Sequence, residues 1–390
     1  MKLDQEARIA DLNQDFFLRE FTYSGTKFRS QSGQELELCD GAIWIDDLLI
    51  LIQAKVRNPS DATACVETES KWFSRKVEKN AVKQIGDSLR YLETEMKLPM
   101  QNHRGQLLDF KKAEPSTIHR LVVYTPSPKI TSRHFLKKGR VSSKSGFVHF
   151  ISEGDYQAIC VTLMTPAEIS QYLNFRAEYV QRDPNANEVS EKALVGKYLT
   201  DSDDTEDVCD EHEFVTDRLI NDPEEFSVSK LLWGYLDQLQ AYEGPNASLQ
   251  YHKILSILAM MKRNVMREFK TRLRWAMDKA TSNEACLPTR MYPFYMGCSF
   301  IFISLEQIEP ETRVAFLERY ALLSKQDLKS ERCLAVGVSR RQDNSESFLV
   351  HWIVFDHPWT PDLELDEYLA KNPDCFNPIR EAELGLYQLK

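Results

Sequence analysis

The chain has 390 residues, 42% of them hydrophobic, which is enough for two or three packed domains. Its formal net charge of −10 argues against a uniformly basic nucleic-acid binder, and no stretch approaches the roughly 18 uninterrupted apolar residues of a membrane-spanning helix. Eight scattered cysteines without a CxxC pair argue against zinc ribbons and a disulfide framework, so a reducing cytoplasm is expected. The start, MKLDQEARIADL, is charged and has no apolar signal-peptide core. Charge is uneven along the chain. Residues 1–150 hold 24 Lys+Arg against 19 Asp+Glu, and residues 151–390 hold 25 against 40, a pattern compatible with a basic catalytic half and an acidic second half.

In chain order, Ile9, Leu12, Phe16 and Phe17 recur at helical spacing and predict an amphipathic helix over residues 4–23. A polar loop over 24–34 follows. The stretch ELELCDGAIWIDDLLILIQAK, residues 35–55, then sets two apolar runs on either side of Asp46-Asp47 and predicts a hairpin. Gln53 and Lys55, two apart, share one strand face, and Asp40 lies on the neighbouring strand. From about Ser70 to Met96 the stripe Trp72, Phe73, Val77, Val82, Ile85, Leu89 and Leu92 predicts a long helix carrying Lys76, Lys79, Lys83 and Arg90.

Strands are expected at His119 to Tyr124, Phe147 to Ile151 and VTLMT (161–165), with a basic loop from Lys129 to Lys144 and a helix starting near Glu153. Thr165-Pro166 opens one more helix, with Thr165 as N-cap and Pro166 in the first helical position. Residues 183–222, rich in acidic side chains, read as a linker or exposed loop. The second half predicts helices at 227–242 and 248–280. Lys262, Arg263, Arg267, Lys270, Arg272 and Arg274 are expected on the faces of the latter away from its core stripe. Strands are expected at 298–305, 333–339 and 348–355, with a helix near 312–325. The fold class predicted is α/β in two domains, residues 1–182 and 223–390.

An Asp on one strand of a hairpin and QxK on the next, between an acidic helix and a basic helix, resembles the PD-(D/E)xK nuclease superfamily in its Mrr-like QxK variant. The likeness spans roughly residues 10–180, and ELCDGAIWIDDLLILIQAK with KWFSRKVEKNAVKQI is similar to uncharacterised bacterial proteins with predicted nuclease domains. It implies a restriction-endonuclease-like mixed sheet flanked by helices, Mg²⁺ or Mn²⁺ as cofactor, and DNA as substrate, as in defence against foreign DNA. By the same resemblance Asp40, Gln53, Ala54 (through its carbonyl) and Glu20 would hold the metal, with Asp15 a competitor to Glu20. Lys55 would act on the attacking water or on the scissile phosphate, and Lys79, Lys83 and Gln84 would meet phosphates. Gln53 departs from the acidic residue usual at its position, which lowers the negative charge at the metal. The alternative is a non-catalytic nucleic-acid-binding or protein-interaction module on a degenerate nuclease scaffold. An RNA-directed nuclease is a third reading, and the C-terminal half would serve regulation, recognition or oligomerisation.

Overall fold

Leu48 to Ile52 are all buried, the pattern of a central strand covered on both faces. In the computed structural model this run belongs to β5 (Leu48–Val56), paired antiparallel with β4 (Gly41–Ile45) in the register Gly41 with Ile52 and Ile45 with Leu48. Asp46 makes the turn at φ 53°, a left-handed conformation that Asp tolerates. The structure describes residues 5–57, 65–128, 136–163, 165–200, 207–209, 211–221, 250–341 and 347–379. The chain divides into two compact units that part between Asp222 and Pro223.

In the first unit, α1 (Gln5–Phe17) is followed by β1 (Thr22–Ser24), β2 (Lys27–Arg29) and β3 (Glu35–Glu37), then by the β4–β5 hairpin. After the long helical segment come β6 (Pro99–Gln101), β7 (Leu107–Asp109), β8 (Thr117–Thr125), β9 (Gly139–Ser142) and β10 (Gly146–Ser152). The main sheet has the order β1-β4-β5-β8-β10-β9. Its β5, β8 and β10 run parallel, and the outer strands are antiparallel to their neighbours.

The segment between β5 and β8 is one helical rod: α2 (Val66–Phe73), a π-helical stretch (Ser74–Ala81) and α3 (Val82–Thr94). Phe73, Val77, Ala81 and Ile85 are all buried and pack with Leu49 and Leu51 of β5. Their repeat of four is longer than the 3.6 residues of an α-turn, and the wider π-turn keeps the stripe on the sheet. The predicted helix is therefore present, with this distortion inside it. On the opposite sheet face lie α1 and α4 (Glu153–Leu163), joined by Tyr156 Oη donating to Asn13 Oδ1 at 2.7 Å.

Five expectations for this unit are corrected. The loop expected at 24–34 holds β2, and the loop expected from Lys129 to Lys144 holds β9, its residues 129–135 lying outside the described residues. The other three concern helices. The first helix stops at Phe17 rather than running to residue 23, because Leu18 turns at φ 68° and Thr22–Ser24 joins the sheet as β1. VTLMT is not a strand. Its Thr162 and Leu163 belong to α4, whose buried stripe of Tyr156, Ile159, Cys160 and Leu163 has helical spacing. Residues 183–222 are not merely a linker, since they contain α6 (Glu191–Thr200) and α7 (Glu211–Ile220), which pack in the first unit after α5 (Pro166–Arg182). Gly196 permits that packing: a Cβ there would lie 1.8 Å from the His212 carbonyl oxygen. The acidic residues 201–206 and the predicted helix at 227–242 lie outside the described residues. Thr165 caps α5 as expected, accepting from Glu168 N at 3.1 Å.

In the second unit the predicted helix at 248–280 is two helices, α8 (Gln250–Ala259) and α9 (Arg263–Ser282), parted by an extended Lys262. Strands β11 (Thr289–Met291), β12 (Cys298–Ser304), β13 (Arg332–Arg340) and β14 (Phe348–Asp356) form a sheet in that order, with β12 and β13 parallel. Phe269 of α9 packs on Phe302 at 4.9 Å between ring centroids. Leu317 and Ala321 of α10 (Arg313–Leu328) pack with Ile301, Ile303 and Ala335, and α11 (Leu363–Lys371) adjoins that cluster. Arg263 and Lys270 are buried, contrary to the solvated face expected of α9. The chain is mixed α/β in both units, and among the described residues no helix is long and apolar enough to cross a membrane.

Candidate active site

At the carboxyl end of β5, alternation sends Leu49, Leu51, Gln53 and Lys55 to the face covered by the helical rod. Asp40 immediately precedes β4, whose Gly41 stands opposite Ile52, so the hairpin delivers its carboxylate to the last turns of β5. Asp40 Oδ2 accepts from Ala54 N at 2.6 Å and from Lys55 Nζ at 3.3 Å. Lys55 Nζ also donates to Gln53 Oε1 at 3.3 Å and to the Ala54 carbonyl oxygen at 2.7 Å. Gln53 is buried, while the Asp40 and Lys55 side chains retain 13% and 17% of their exposure, so the cluster opens to solvent. Asp40, Gln53, Ala54 and Lys55 thus come together as expected. The site lies at the carboxyl ends of parallel strands, where open α/β sheets commonly bind ligands.

Glu20 does not join them. It lies beyond the end of α1, fully buried, and its Oε1 accepts from Arg104 Nε at 2.8 Å in the β6–β7 turn. The misassignment follows from the early end of the helix at Leu18. Asp15 is exposed on α1. The acidic residue of α1 that shares a small crevice with Asp40 is Glu6, and Asn13, Tyr23, Ala54 and His103 also line it.

A second carboxylate near the cluster went unread in the sequence. Glu37, at the end of β3, has its carboxyl pushed up by partial burial and next by the charge of Asp40, while Lys27 and Lys55 act in the opposite sense. The only local signal is its place three residues before Asp40; what sets it there is the β2–β3 hairpin.

Lys79, Lys83 and Gln84 are exposed on the rod, Lys79 in the π stretch and the other two in α3. Among the described residues Lys79 and Lys83 have no acidic partner, whereas Arg90 is paired with Asp87 at 3.0 Å. The rod covers the sheet face that carries Gln53 and Lys55, but these three residues make no bond to Asp40, Gln53 or Lys55.

The donor set suits a hard divalent cation. A carboxylate oxygen, an amide oxygen and a peptide carbonyl surround one ammonium, which stands where a cation of greater charge would be held. Among the described residues no group of three or more His, Cys, Asp or Glu is placed to hold a metal, so this set relies on a single carboxylate. Magnesium commonly uses only one or two.

A second polar cluster lies in the same unit. Arg176 Nε and Nη2 donate to Glu191 Oε1 and Oε2 at 2.6 and 3.1 Å, Lys138 Nζ lies 3.1 Å from Glu191, and Tyr172 Oη bonds to the same carboxylate. Arg176 also donates to the carbonyls of Lys138 and Phe150 and to His149 Nδ1. Burial opposes the charge on Glu191, yet Arg176 and Lys138 outweigh it and hold the carboxyl well below the usual range. With every partner matched and Arg176 fully buried, this cluster fastens α5 and α6 to β10 and presents nothing to a substrate. No family model, curated protein or solved structure matches the chain, so the function is argued from the geometry alone.

Proposed function

We propose that the first unit is a divalent-metal-dependent nuclease of the PD-(D/E)xK type with a QxK site, cutting DNA internally in the cytoplasm, as in defence against foreign DNA. The observation that supports this reading is the convergence of Asp40, Gln53, the Ala54 carbonyl and Lys55 on one point at the carboxyl end of β5. Asp40, Gln53 and the Ala54 carbonyl would hold Mg²⁺ or Mn²⁺. The metal supplies polarisation of the phosphoryl oxygen and an acidified water. Asp40 contributes the one full negative charge among these donors, and the Ala54 N–H holds its Oδ2 in place. Lys55 brings a positive charge to meet the anion that develops on the phosphate, or orients the attacking water. Lys79 and Lys83 lie on the rod over the same sheet face and suit non-specific phosphate contacts. All eight cysteines are free, in keeping with a reducing compartment. Defence is an analogy with the resembling superfamily.

A second reading, a nucleic-acid-binding module without chemistry, draws on the Lys55–Asp40 ion pair, which neutralises the only carboxylate in the donor set. A cleavage assay on supercoiled plasmid, linear duplex, single-stranded DNA and RNA, with Mg²⁺, Mn²⁺ or EDTA, tests both. Metal-dependent cutting of DNA, reduced at least about a hundredfold in Asp40→Ala and Lys55→Ala, is expected. Equal cutting by all three proteins sinks the site, and cutting of RNA alone changes the substrate. Salt-sensitive DNA retention without cutting, unchanged by metal or by Asp40→Ala, favours the binding module.

A further inference from the structure

We infer that the Lys55 ammonium is the resident cation of the Asp40–Gln53–Ala54 oxygen cradle, and that a divalent metal binds there only by displacing it. The inference rests on the proposed metal site and concerns how that site is controlled. An ammonium has three donors and no acceptor, and here each donor finds one oxygen: Ala54 O at 2.7 Å, Asp40 Oδ2 at 3.3 Å and Gln53 Oε1 at 3.3 Å. A metal taking these same oxygens would sit in nearly the same place as the ammonium nitrogen. Two cations that close, among side chains that keep only 13% and 17% of their exposure, repel too strongly to share one carboxylate.

The lysine is equipped to leave. Its stem is flexible, its side chain keeps a path to solvent, and Glu37 lies within electrostatic reach as a second carboxylate for the departing charge. Metal entry and release of Lys55 are then one exchange. The freed ammonium emerges beside the metal, on the sheet face under the helical rod. The cradle is closed when no metal is present, and its affinity for metal is set by how tightly Lys55 is held.

The test is direct Mn²⁺ binding to the full chain, read from the free-Mn²⁺ electron paramagnetic resonance signal, with no turnover involved. Lys55→Met keeps the stem and removes the charge; Lys55→Gln is a polar second variant should the first fail to fold, and circular dichroism checks both. Either variant is expected to bind Mn²⁺ at least about tenfold more tightly than the wild type. Asp40→Ala added to either should abolish the gain. Equal or weaker Mn²⁺ binding by a folded Lys55 variant overturns the exchange. If the wild type nevertheless cuts DNA with metal and Asp40→Ala does not, the nuclease reading survives that failure. A tight site retained in the Asp40→Ala double variants places the metal elsewhere and overturns the exchange. Absence of Mn²⁺ binding in every protein, with no cutting, removes both.

Discussion

Two ion-pair clusters sit in one unit, and they differ in how their carboxylates are satisfied. Glu191 receives two bonds from one guanidinium, a third from Lys138 and a fourth from Tyr172, and it is almost wholly buried. Asp40 receives one short peptide N–H bond and one long ammonium bond, and it keeps an opening to solvent. A fully matched and sealed pair can only hold the fold together. A loosely matched, open pair whose cation is crowded by three oxygens can exchange that cation for another. Charge alone does not separate a site from a fastening; the completeness of its bonding does.

The widest separation between the two should come from Arg176→Ala. It leaves Glu191 buried without its bidentate partner and is expected to cost about 3–5 kcal/mol in urea unfolding of the first unit. A cost below about 1 kcal/mol would mean that the cluster is not a fastening. Acid comes next. Burial pushes His119 down to about 4, and His149 lies well below its ordinary value for the same reason, with Arg176 adding to it. Between pH 6.5 and 4 the unfolded chain takes up protons at these histidines that the folded chain refuses, so stability falls on acidification. His119 alone accounts for about 3 kcal/mol across that window. Glu191, held low by Arg176 and Lys138 against its burial, adds a loss of the same sign below the ordinary carboxylate range. Urea midpoints at pH 7 and pH 4.5 should therefore differ less in His119→Gln than in the wild type. The smallest effect on stability belongs to the open cluster: Asp40→Asn should shift unfolding by at most about 1 kcal/mol while it removes Mn²⁺ binding.

How much of this was legible beforehand depended on distance along the chain. Asp40, Gln53 and Lys55 lie within sixteen residues on one hairpin, where a period of two fixes which side chains meet. Glu20 failed because nothing local announces that Leu18 takes a positive φ and ends α1. Glu37 was missed because a separate hairpin, β2–β3, sets its position. Arg176 and Glu191 escaped notice because the acidic composition around Glu191 reads as a linker, whereas a cation fifteen residues earlier folds it into the unit. In the second unit β12, β13 and β14 were visible as dense apolar runs and the β13–β14 hairpin was correctly placed, while the short β11, TRM, and the burial of Arg263 and Lys270 were not visible.

The π stretch at Ser74–Ala81 has a consequence for how this chain can change length. A stretch of wide turns holds more residues over the same span than an α-helix does, so it is an insertion absorbed inside the rod rather than expelled as a loop. Removing one residue from it would let the turns tighten toward α geometry without breaking the helix, so the loss would be taken up largely within the stretch and the residues downstream would keep their side of the rod relative to Phe73. Lys83 and Gln84 would stay on their present meridian above Lys55 on the strand beneath. The rod thus works as an expansion joint, in which a change in the count of residues is taken up before it reaches the charges above the strand ends.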